Sequence, residues 1–530
     1  MPVFASHSAV RPHERRELYV AHSASRRLVV PLLALGLTAT LAPSLAAGPA
    51  AAAPGGAAEA RDLSRFTQQK LTWKRCAADK PAKFQCATLK VPLDYSAPKG
   101  KTLKVAVSRV RTSKPGKRHG VLTFNPGGPG GPGLDLPLEA SEGLPKAVLE
   151  KYDLIGFDPR GVGKSSPLSC GLTGDEQRFP RPTRSRAEFD RNVKWAKTVA
   201  DKCRTKNRGV LPYINTRNTA RDMDVMRAAV GEKKLSYYGV SYGTALGAVY
   251  TQLFPKRADR VLIDSAVDPE RMWRGMFRIW AEEVGPAFER WSKWTAERDA
   301  TYHLGSSPKQ VQRTFWKLVE RADREPIVVD GEKLDGADVR NIARPEFFSV
   351  RNGAELVRML KRAAGGATVS GPAAEPVTDN ELAAQFAVVC ADAAWPRDPE
   401  TYYRDTVRDT VRYPLYGDFT SGIVPCAFWP RGAEPATKVD NDVPLLLVQN
   451  EWDSQTPLSG ARNMHRALKG SRMITVDEGE GHGVLFGDRR YPCAENPSMR
   501  YLATGKLPAK DVTCRVTPGQ RRAEAAPNAF

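Results

Sequence analysis

The chain has 530 residues, of which 41% are hydrophobic and 26% are charged, and its formal net charge is +21. The length exceeds that of one minimal domain, and the composition is ordinary for a globular protein with a buried core. The basic residues are scattered, with no Lys/Arg block and no RNA-binding aromatic motif, so we expect no nucleic-acid partner. A positive field could hold the protein loosely near anionic cell-wall polymers, although a solvated arginine-rich surface is the simpler interpretation.

The N-terminal segment has the composition of an export signal. Arg26 and Arg27 precede an uncharged stretch, 28–58, that is apolar at first and then rich in Ala, Gly and Pro. A positive region, a hydrophobic region and small-residue cleavage sites follow one another in this order in a secretory signal peptide. An uncleaved membrane anchor is the rival interpretation, but the prolines and the alanine tail favour cleavage. We predict a signal peptide over 1–53, a secreted or cell-wall-associated mature protein, and no stable membrane span after processing.

Eight cysteines follow the predicted signal, and an even number in an exported chain suggests disulfides. None of them has the CxxC spacing of a zinc site, so we expect no bound metal. Eight cysteines allow about 105 pairings. Short loops favour pairing between sequence neighbours, which gives Cys76–Cys86, Cys170–Cys203, Cys390–Cys426 and Cys493–Cys514.

From about residue 100 to 265, short apolar strands alternate with helical patterns. Continuous apolar strands separated by helices are typical of a mainly parallel sheet that is covered on both faces. The sequence therefore predicts an α/β fold, with strands at 103–110, 120–124, 152–157, 235–240 and 260–263, and helices at 186–203, 219–230 and 242–253.

The segment from 268 to about 425 has a different pattern. It is rich in Trp, Arg and Glu at helical spacing and lacks buried-strand runs apart from 326–329. Strand patterns return at 444–449 and 472–476. The simplest architecture is one α/β domain interrupted by a helical insertion, with core residues at 54–267, a helical cap at 268–430 and the rest of the core at 431–530.

A serine between two glycines, Gly239-Val240-Ser241-Tyr242-Gly243, follows the predicted strand 235–240. The G-x-S-x-G pattern is short and common, and in isolation it also fits an ordinary serine in a glycine-rich bend. Between a strand and a helix it is typical of a nucleophile on a sharp turn. We therefore predict Ser241 as a catalytic nucleophile, provided that an oxyanion hole, an acid and a histidine accompany it.

The glycine-rich stretch NPGGPG, residues 125–130, follows the predicted strand 120–124. It overlaps a G-x-G-x-x-G pattern, but Pro129 and Pro132 remove N–H donors that a dinucleotide site requires, so we expect no nucleotide cofactor. Glycines also let a loop turn its N–H groups inward, as the oxyanion loop of an α/β-hydrolase does. The predicted oxyanion donors are the backbone N–H groups of Gly128 and Tyr242.

The catalytic histidine is predicted by elimination. His119 precedes a predicted strand, on the wrong side of the sheet, while His303 lies in the insertion and His465 lies inside a helical pattern. His482 follows the predicted strand 472–476 on the loop EGHG, where a general base has the freedom to reach the serine hydroxyl.

The acid is expected at the end of the preceding strand. Asp453 fits best, because Pro457 can start the next helix and the loop can turn the carboxylate toward His482. Glu451 is the second choice, and Asp264, which closes the strand after the nucleophile helix, is the third. The order serine, acid, histidine is that of α/β-hydrolases, with the insertion between the first two.

The motifs together resemble one family. NPGGPG, YDLIGFDPRGVGKSS, TARDMDVMRAAVG, GVSYGT, and WDSQTP followed by GHG are similar to the exported tripeptidyl aminopeptidases, which are serine peptidases related to proline iminopeptidases. The resemblance covers roughly 70–515. It implies an α/β-hydrolase fold with an inserted helical cap. One departure is Ser454, since a proline often follows the acid in this family.

The resemblance implies an exopeptidase that releases tripeptides from free N-termini through an acyl-enzyme, without a metal or cofactor. An exported carboxylesterase or lipase with the same triad is the alternative, and a non-catalytic cell-wall-binding protein is the third hypothesis. A cap over the serine would limit substrates to chain ends and supply carboxylates for the substrate amine. The candidates, among which the sequence does not choose, are Asp268, Glu270, Glu282, Glu283 and Asp392.

Overall fold

A computed structural model describes residues 62–177, 181–371, 377–486 and 490–515. The predicted signal peptide, 1–53, lies outside the described residues. The described strands are β1 (Lys74–Arg75), β2 (Phe84–Pro92), β3 (Thr102–Val110), β4 (Gly120–Asn125), β5 (Tyr152–Phe157), β6 (Leu235–Val240), β7 (Ala258–Asp264), β8 (Ile327–Val329), β9 (Glu332–Leu334), β10 (Leu445–Trp452), β11 (Ser471–Glu480) and β12 (Val512–Arg515).

Helices separate these strands along most of the chain. Asn215 shows how the sequence starts one of them, since its side chain accepts a hydrogen bond from the N–H of Asn218 and caps the helix that follows. The described α-helices are α1 (Ser64–Thr67), α2 (Leu136–Gly143), α3 (Lys146–Leu149), α4 (Arg186–Lys206), α5 (Thr216–Ala229), α6 (Tyr242–Leu253), α7 (Arg274–Ala296), α8 (Asp299–Tyr302), α9 (Pro308–Arg324), α10 (Gly336–Glu346), α11 (Val350–Ala364), α12 (Asp379–Asp392), α13 (Pro399–Arg412), α14 (Gly417–Thr420), α15 (Leu458–Ala467) and α16 (Pro492–Thr504).

Ten of the described strands form one sheet in the order β1-β2-β3-β5-β4-β6-β7-β10-β11-β12. The strands from β5 to β12 pair in parallel, and the pairs at the other edge, from β1 to β5, are antiparallel. The central strands β4, β6 and β10 are buried over most of their length, as strands covered on both faces must be. The predicted α/β class with a mainly parallel sheet is confirmed.

The carboxyl ends of the parallel strands meet at one edge of the sheet. Asn125 ends β4, Asp264 ends β7, and Ser241 directly follows β6. The loops after β10 and β11 leave from the same edge, because both strands run parallel to β7. Ligands bind at this edge in open α/β sheets, so these loops are where a site is expected.

Between β7 and β10 the chain forms helices α7 to α14 and the small β8–β9 hairpin. Helices α7 to α11 share a separate hydrophobic core around Phe288, Trp291, Phe315 and Phe347. Helix α12 instead contributes Phe386 and neighbouring residues to the core that covers the sheet. This inserted segment therefore contacts the α/β core through part of its length, and its boundaries at 268 and 430 stay a prediction.

All eight cysteines are paired. The bonds are Cys76–Cys86, Cys170–Cys203, Cys390–Cys426 and Cys493–Cys514, the pairs that short loops favour. The last of these ties α16 to β12 at the parallel edge of the sheet. None of the helices in the described ranges has the length and apolarity that crossing a membrane requires.

Candidate active site

Ser241 occupies a sharp turn between β6 and α6. Its backbone angles are φ 60° and ψ −125°, a region that non-glycine residues rarely adopt. The Ser241 N–H donates to Asp264 O at 3.0 Å, and Ser241 O accepts from both the N–H and the hydroxyl of Thr244. These contacts hold the serine in the conformation of a nucleophile elbow at the start of a helix.

The two glycines of the motif allow α6 to begin close to both β6 and β4 at this turn. A Cβ atom on Gly239 would lie 2.5 Å from Gly243 O, and one on Gly243 would lie 2.8 Å from Asn125 O. A Cβ on Gly127, in the loop after β4, would lie 2.8 Å from the Ser241 Cβ. The glycine-rich loop and the serine turn are therefore in direct contact.

The predicted oxyanion donors lie on these two segments. Tyr242 is the first residue of α6, where a backbone N–H has no partner within the helix. Asn125 Oδ1 accepts the N–H of Gly127 at 3.1 Å and so shapes the loop that carries Gly128. Within the described part of the chain, the N–H groups of Gly128 and Tyr242 donate to no other residue. Both remain available to an oxygen atom, and their role stays a prediction.

His482 and Asp453 form a buried pair. The His482 Nδ1 atom lies 2.9 and 3.0 Å from the two carboxylate oxygens of Asp453. Burial alone would lower the pKa of His482, but the charge and hydrogen bond of Asp453 outweigh it and raise the pKa above its ordinary value. The Nε2 atom is buried and has no hydrogen-bond partner among the described residues. A neutral imidazole held in this way presents an unoccupied acceptor.

Asp453 is fixed by its own turn. Its carboxylate accepts hydrogen bonds from the N–H of Gln455 at 2.8 Å, the N–H of Thr456 at 2.9 Å and the Thr456 hydroxyl at 3.0 Å. Burial would raise the pKa of Asp453, but His482 and these donors hold it below its ordinary value. The carboxylate is therefore ionised and rigid.

The two alternative acids have other partners. Asp264 accepts the N–H groups of Val484 and Leu485 at 2.8 and 2.9 Å, and burial raises its pKa to about 6. It therefore anchors the loop that follows His482. Glu451 accepts the N–H of Glu478 at 2.7 Å. The geometry favours Asp453 as the acid that contacts the imidazole.

The other described histidines lie elsewhere. His119 contacts Asp259, and His465 contacts Ser471 and Asp511. His303 follows helix α8 in the inserted segment. The contacts of His119 and His465 include no residue of the loops around Ser241. This agrees with the prediction of His482 by elimination.

A cavity of about 520 Å³ is lined mostly by the inserted segment, and two of its wall residues contact the loops of the candidate site. Its wall residue Trp280 donates its indole N–H to Gln455 O at 2.7 Å, in the turn of Asp453. Gln385, another wall residue, packs against Gly130 of the glycine-rich loop. Six aromatic residues contribute to the wall: Phe277, Trp280, Phe386, Trp395, Tyr416 and Phe419.

Glu332 and Asp338 are the carboxylates of this wall. Asp338 is engaged by Arg181 and by the N-terminal cap of α10. Glu332 is exposed on the β8–β9 hairpin and makes no ion pair with any residue that the structure describes. Sequence reasoning missed both residues, since nothing in the pattern indicates which side chains of the insertion line a cavity.

None of the five carboxylates named from the sequence lines this cavity in the described structure. Asp392 is buried and accepts hydrogen bonds from Thr216 and Trp273, and burial raises its pKa to about 6. Asp268 is buried against Asn463 and accepts the N–H of Glu270. Two others have polar partners at the surface of α7, where Glu282 pairs with Arg271 and Glu283 accepts from Ser459.

Asp392 belongs to a buried hydrogen-bond network that reaches the side chain of Tyr242. Thr216 Oγ1 donates to Asp392 Oδ2 at 2.5 Å and lies 2.7 Å from the Tyr242 hydroxyl. Tyr242 is the residue whose N–H is a predicted oxyanion donor. This hydrogen-bond network therefore joins helix α12 of the insertion to the start of α6.

The fold and the site define the class of the protein. A parallel sheet with a serine on the turn after β6, and an aspartate–histidine pair on the loops after β10 and β11, is the arrangement of α/β-hydrolases. Two family models match the chain, "alpha/beta hydrolase fold" over 120–355 and "TAP-like protein" over 413–514. The chain is a serine hydrolase of the α/β-hydrolase class, as predicted.

Relatives that match over most of both chains show the family within this class. The chain is 37% identical to "Tripeptidyl aminopeptidase" of Streptomyces lividans, over 85% of this chain and 88% of that protein. It is 30% identical to "Serine protease Hip1" of Mycobacterium tuberculosis H37Rv, over 84% and 91%. "Carboxylesterase B" of the same strain is 29% identical, over 81% and 86%. The chain belongs to the tripeptidyl aminopeptidase family, which confirms the resemblance of its motifs.

Proposed function

We propose that the protein is an exported serine exopeptidase that releases tripeptides from peptides with a free N-terminus. The observation that carries this proposal is the buried pair of His482 and Asp453, whose imidazole leaves Nε2 unoccupied on a loop that Asp264 ties to the Ser241 turn. Ser241 is the nucleophile, His482 the general base and Asp453 the acid that fixes the imidazole tautomer. The N–H groups of Gly128 and Tyr242 form the oxyanion hole.

The proposed reaction is acyl transfer in two steps. His482 Nε2 takes the hydroxyl proton of Ser241 as Oγ attacks the scissile carbonyl, and the oxyanion forms at the two N–H groups. His482 then gives the proton to the leaving amine, and the C–N bond breaks. Water repeats the sequence on the ester, so the N-terminal fragment leaves as a free acid and Ser241 regains its proton. No metal or cofactor takes part in these steps.

The aromatic cavity is the proposed site for the three N-terminal residues of the substrate. Its wall contacts both the glycine-rich loop and the Asp453 turn. A peptide whose N-terminal residues occupied the cavity would therefore have its scissile bond near Ser241. Glu332 is the proposed partner of the substrate amine, since Asp338 is already paired with Arg181. Replacing Glu332 with Gln should raise KM for free-amine substrates about 10-fold. Glu325→Gln, which removes an exposed carboxylate paired with Arg321, is the control.

Export is the second part of the proposal. The predicted signal over 1–53 and the four disulfides support an oxidising location outside the cytoplasm. The net charge of +21 is compatible with loose association with an anionic cell wall. The helical segment over 268–430 would act as the cap.

A carboxylesterase is the alternative function, because a relative of that name is 29% identical over most of both chains. The same triad serves both reactions. The test is to incubate one defined heptapeptide and one acyl ester with the enzyme and with Ser241→Ala, and to identify the products by mass spectrometry. Release of the N-terminal tripeptide by the wild type alone supports the exopeptidase. Ester hydrolysis without peptide cleavage would establish the alternative.

A further inference from the structure

Arg344, on helix α10 of the inserted segment, is a buried cation without an ion pair. Its side chain is among the largest that are fully buried, and no carboxylate lies within ion-pair distance in the ranges that the structure describes. Its guanidinium donates from one terminal nitrogen to Ser454 O at 2.7 Å and from the other to Gln455 Oε1 at 3.2 Å. Both acceptors belong to the turn that begins with Asp453.

The neighbour one turn earlier on the same helix shows the ordinary arrangement. Arg340 is also buried, but it makes a two-pronged ion pair with Asp418, at 2.9 and 2.6 Å. A buried charge normally requires such a partner, since removing an ion from water costs several kcal/mol. Arg344 therefore needs another source of stabilisation.

Two sources are present around Arg344. The guanidinium carbon lies 4.8 Å from the ring centroid of Trp280 and 5.3 Å from that of Tyr416, which are cavity-wall residues. The negative faces of aromatic rings attract a cation. The other source is the carboxyl groups that act on Arg344 through space, first Glu346 on the same helix and then Asp453, the residue before Ser454. The cation of the cap thus faces the anion of the candidate triad.

We propose that Arg344 is a positioning residue of the triad, which fixes the Asp453 turn through Ser454 and Gln455 and opposes a positive charge on the His482 imidazole. This inference rests on the proposed triad but not on the identity of the substrate. The residue belongs to the cap and lies 110 positions before Ser454 in the sequence. The cap would therefore contribute to the chemistry as well as to substrate binding.

The charges around His482 set the direction of the effect. Asp453 contacts the imidazole, Asp264 lies behind its loop, and both raise the pKa of His482, whereas Arg344 lowers it. Tyr416 and Glu346 are the further titratable groups that face Arg344. Burial lowers the pKa of Arg344, but an arginine stays protonated in proteins. Because His482 accepts a proton only when neutral, Arg344 would extend activity to lower pH.

The test compares Arg344→Met with the matched control Arg340→Met. Each removes one buried arginine from α10, and the control also leaves Asp418 without its partner. The rate of Ser241 labelling by a fluorophosphonate and kcat/KM for peptide cleavage are both measured against pH. We expect Arg344→Met to lower both rates about 10-fold at the optimum, as displaced catalytic groups do, and to move the acid limb to higher pH. Arg340→Met should leave the acid limb in place.

Arg344→Lys provides a second variant that keeps the charge and loses one hydrogen bond. It should retain the wild-type acid limb with a smaller loss of rate, and it also serves if Arg344→Met does not fold. An acid limb that is the same in Arg344→Met and Arg340→Met, or one that moves in Arg344→Lys, would overturn the inference. Wild-type enzyme that is labelled but cleaves no peptide would instead overturn the proposed function.

Discussion

The strained turn at Ser241 depends on a few residues with separate tasks. Its positive φ is held by the Asp264 carbonyl and by Thr244, while Gly239 leaves room for the start of α6 and Gly243 leaves room for β4. Asp264 also fixes the loop after His482 through its side chain. One residue thus connects the nucleophile turn to the histidine loop without contacting the reacting atoms.

Exchanging each aspartate for asparagine separates these tasks. Asp453→Asn should lower kcat on the order of 10⁴-fold, because an asparagine favours the wrong imidazole tautomer. Asp264→Asn should cost much less, since an amide oxygen can still accept one N–H of the histidine loop. The measurement is kcat for one peptide substrate, with the thermal unfolding of each variant recorded to check folding. A nearly wild-type Asp453→Asn beside an inactive Asp264→Asn would show that the acid is assigned to the wrong residue.

Glu346, at the end of α10, makes stability depend on pH. Burial raises its pKa to about 7 from 4.5. The native state therefore holds this proton more tightly than the unfolded chain does, and stability falls as pH rises from about 4.5 to 7. Glu346→Gln should be more stable than the wild type at pH 8, by up to about 3 kcal/mol, and not at pH 4. Urea unfolding at both pH values measures this.

The control for this prediction is Glu320→Gln, which changes an exposed carboxyl on the neighbouring helix α9. It should leave the free energy of unfolding unchanged at both pH values. An equal gain from Glu346→Gln at pH 4 and pH 8 would contradict the ionisation argument, since only the charged carboxylate is disfavoured by burial.

At the scale of elements, the close approach of β6 and the start of α6 requires glycine. A Cβ on Gly239 would lie 2.5 Å from Gly243 O and 2.5 Å from the ring of Tyr237, and neither neighbour can move freely in the core. Gly239→Ala should destabilise the fold by more than about 2 kcal/mol through overpacking. Gly116 lies in the exposed segment before β4 with open space around it and without a positive φ, so Gly116→Ala should be neutral or slightly stabilising. Thermal unfolding of the two variants tests the contrast.

Periodicity predicted the elements of the parallel sheet well. The predicted strands 120–124, 152–157 and 235–240 correspond to β4, β5 and β6, since buried parallel strands are short apolar runs bounded by turns. Strands β1, β2 and β12 were not predicted. Strands β1 and β12 are short edge strands, and β2 lies next to an edge with half-exposed polar side chains among its apolar ones, which dilutes the apolar pattern. Helix α5 begins at Thr216 rather than 219, because Asn215 caps it.

The candidate site was predictable only where chemistry is local. The G-x-S-x-G motif leads to Ser241. His482 follows by elimination, because the chain has few histidines and only one of them follows a predicted strand on a loop. The cavity and Arg344 were not predictable, since they arise from contacts between segments more than a hundred residues apart. The sequence also could not choose among the five carboxylates of the insertion, and the fold buries one of them, Asp392, against Thr216.

At the scale of the whole molecule, the inserted segment contacts the core beside three parts of the candidate site. Gln385 packs on the glycine-rich loop, Trp280 and Arg344 bind the Asp453 turn, and Asp392 joins Thr216 beneath Tyr242. In the proposed function, a cap attached in this way would form one wall of the substrate site and would support the residues beside it. The cavity that would bind the substrate's N-terminus would therefore adjoin the residues that cleave the peptide bond.

The most direct measurement of the central claim uses one heptapeptide in two forms, with a free and an N-acetylated amine. Products are quantified by mass spectrometry over time, with Ser241→Ala as the blank. The free amine carries the charge that Glu332 would bind, so we predict release of the N-terminal tripeptide from the free form. We expect cleavage at least about 100-fold slower for the acetylated form, the effect of losing a charged hydrogen bond of about 2.7 kcal/mol. Equal rates on both forms, or cleavage at internal bonds, would contradict the exopeptidase account.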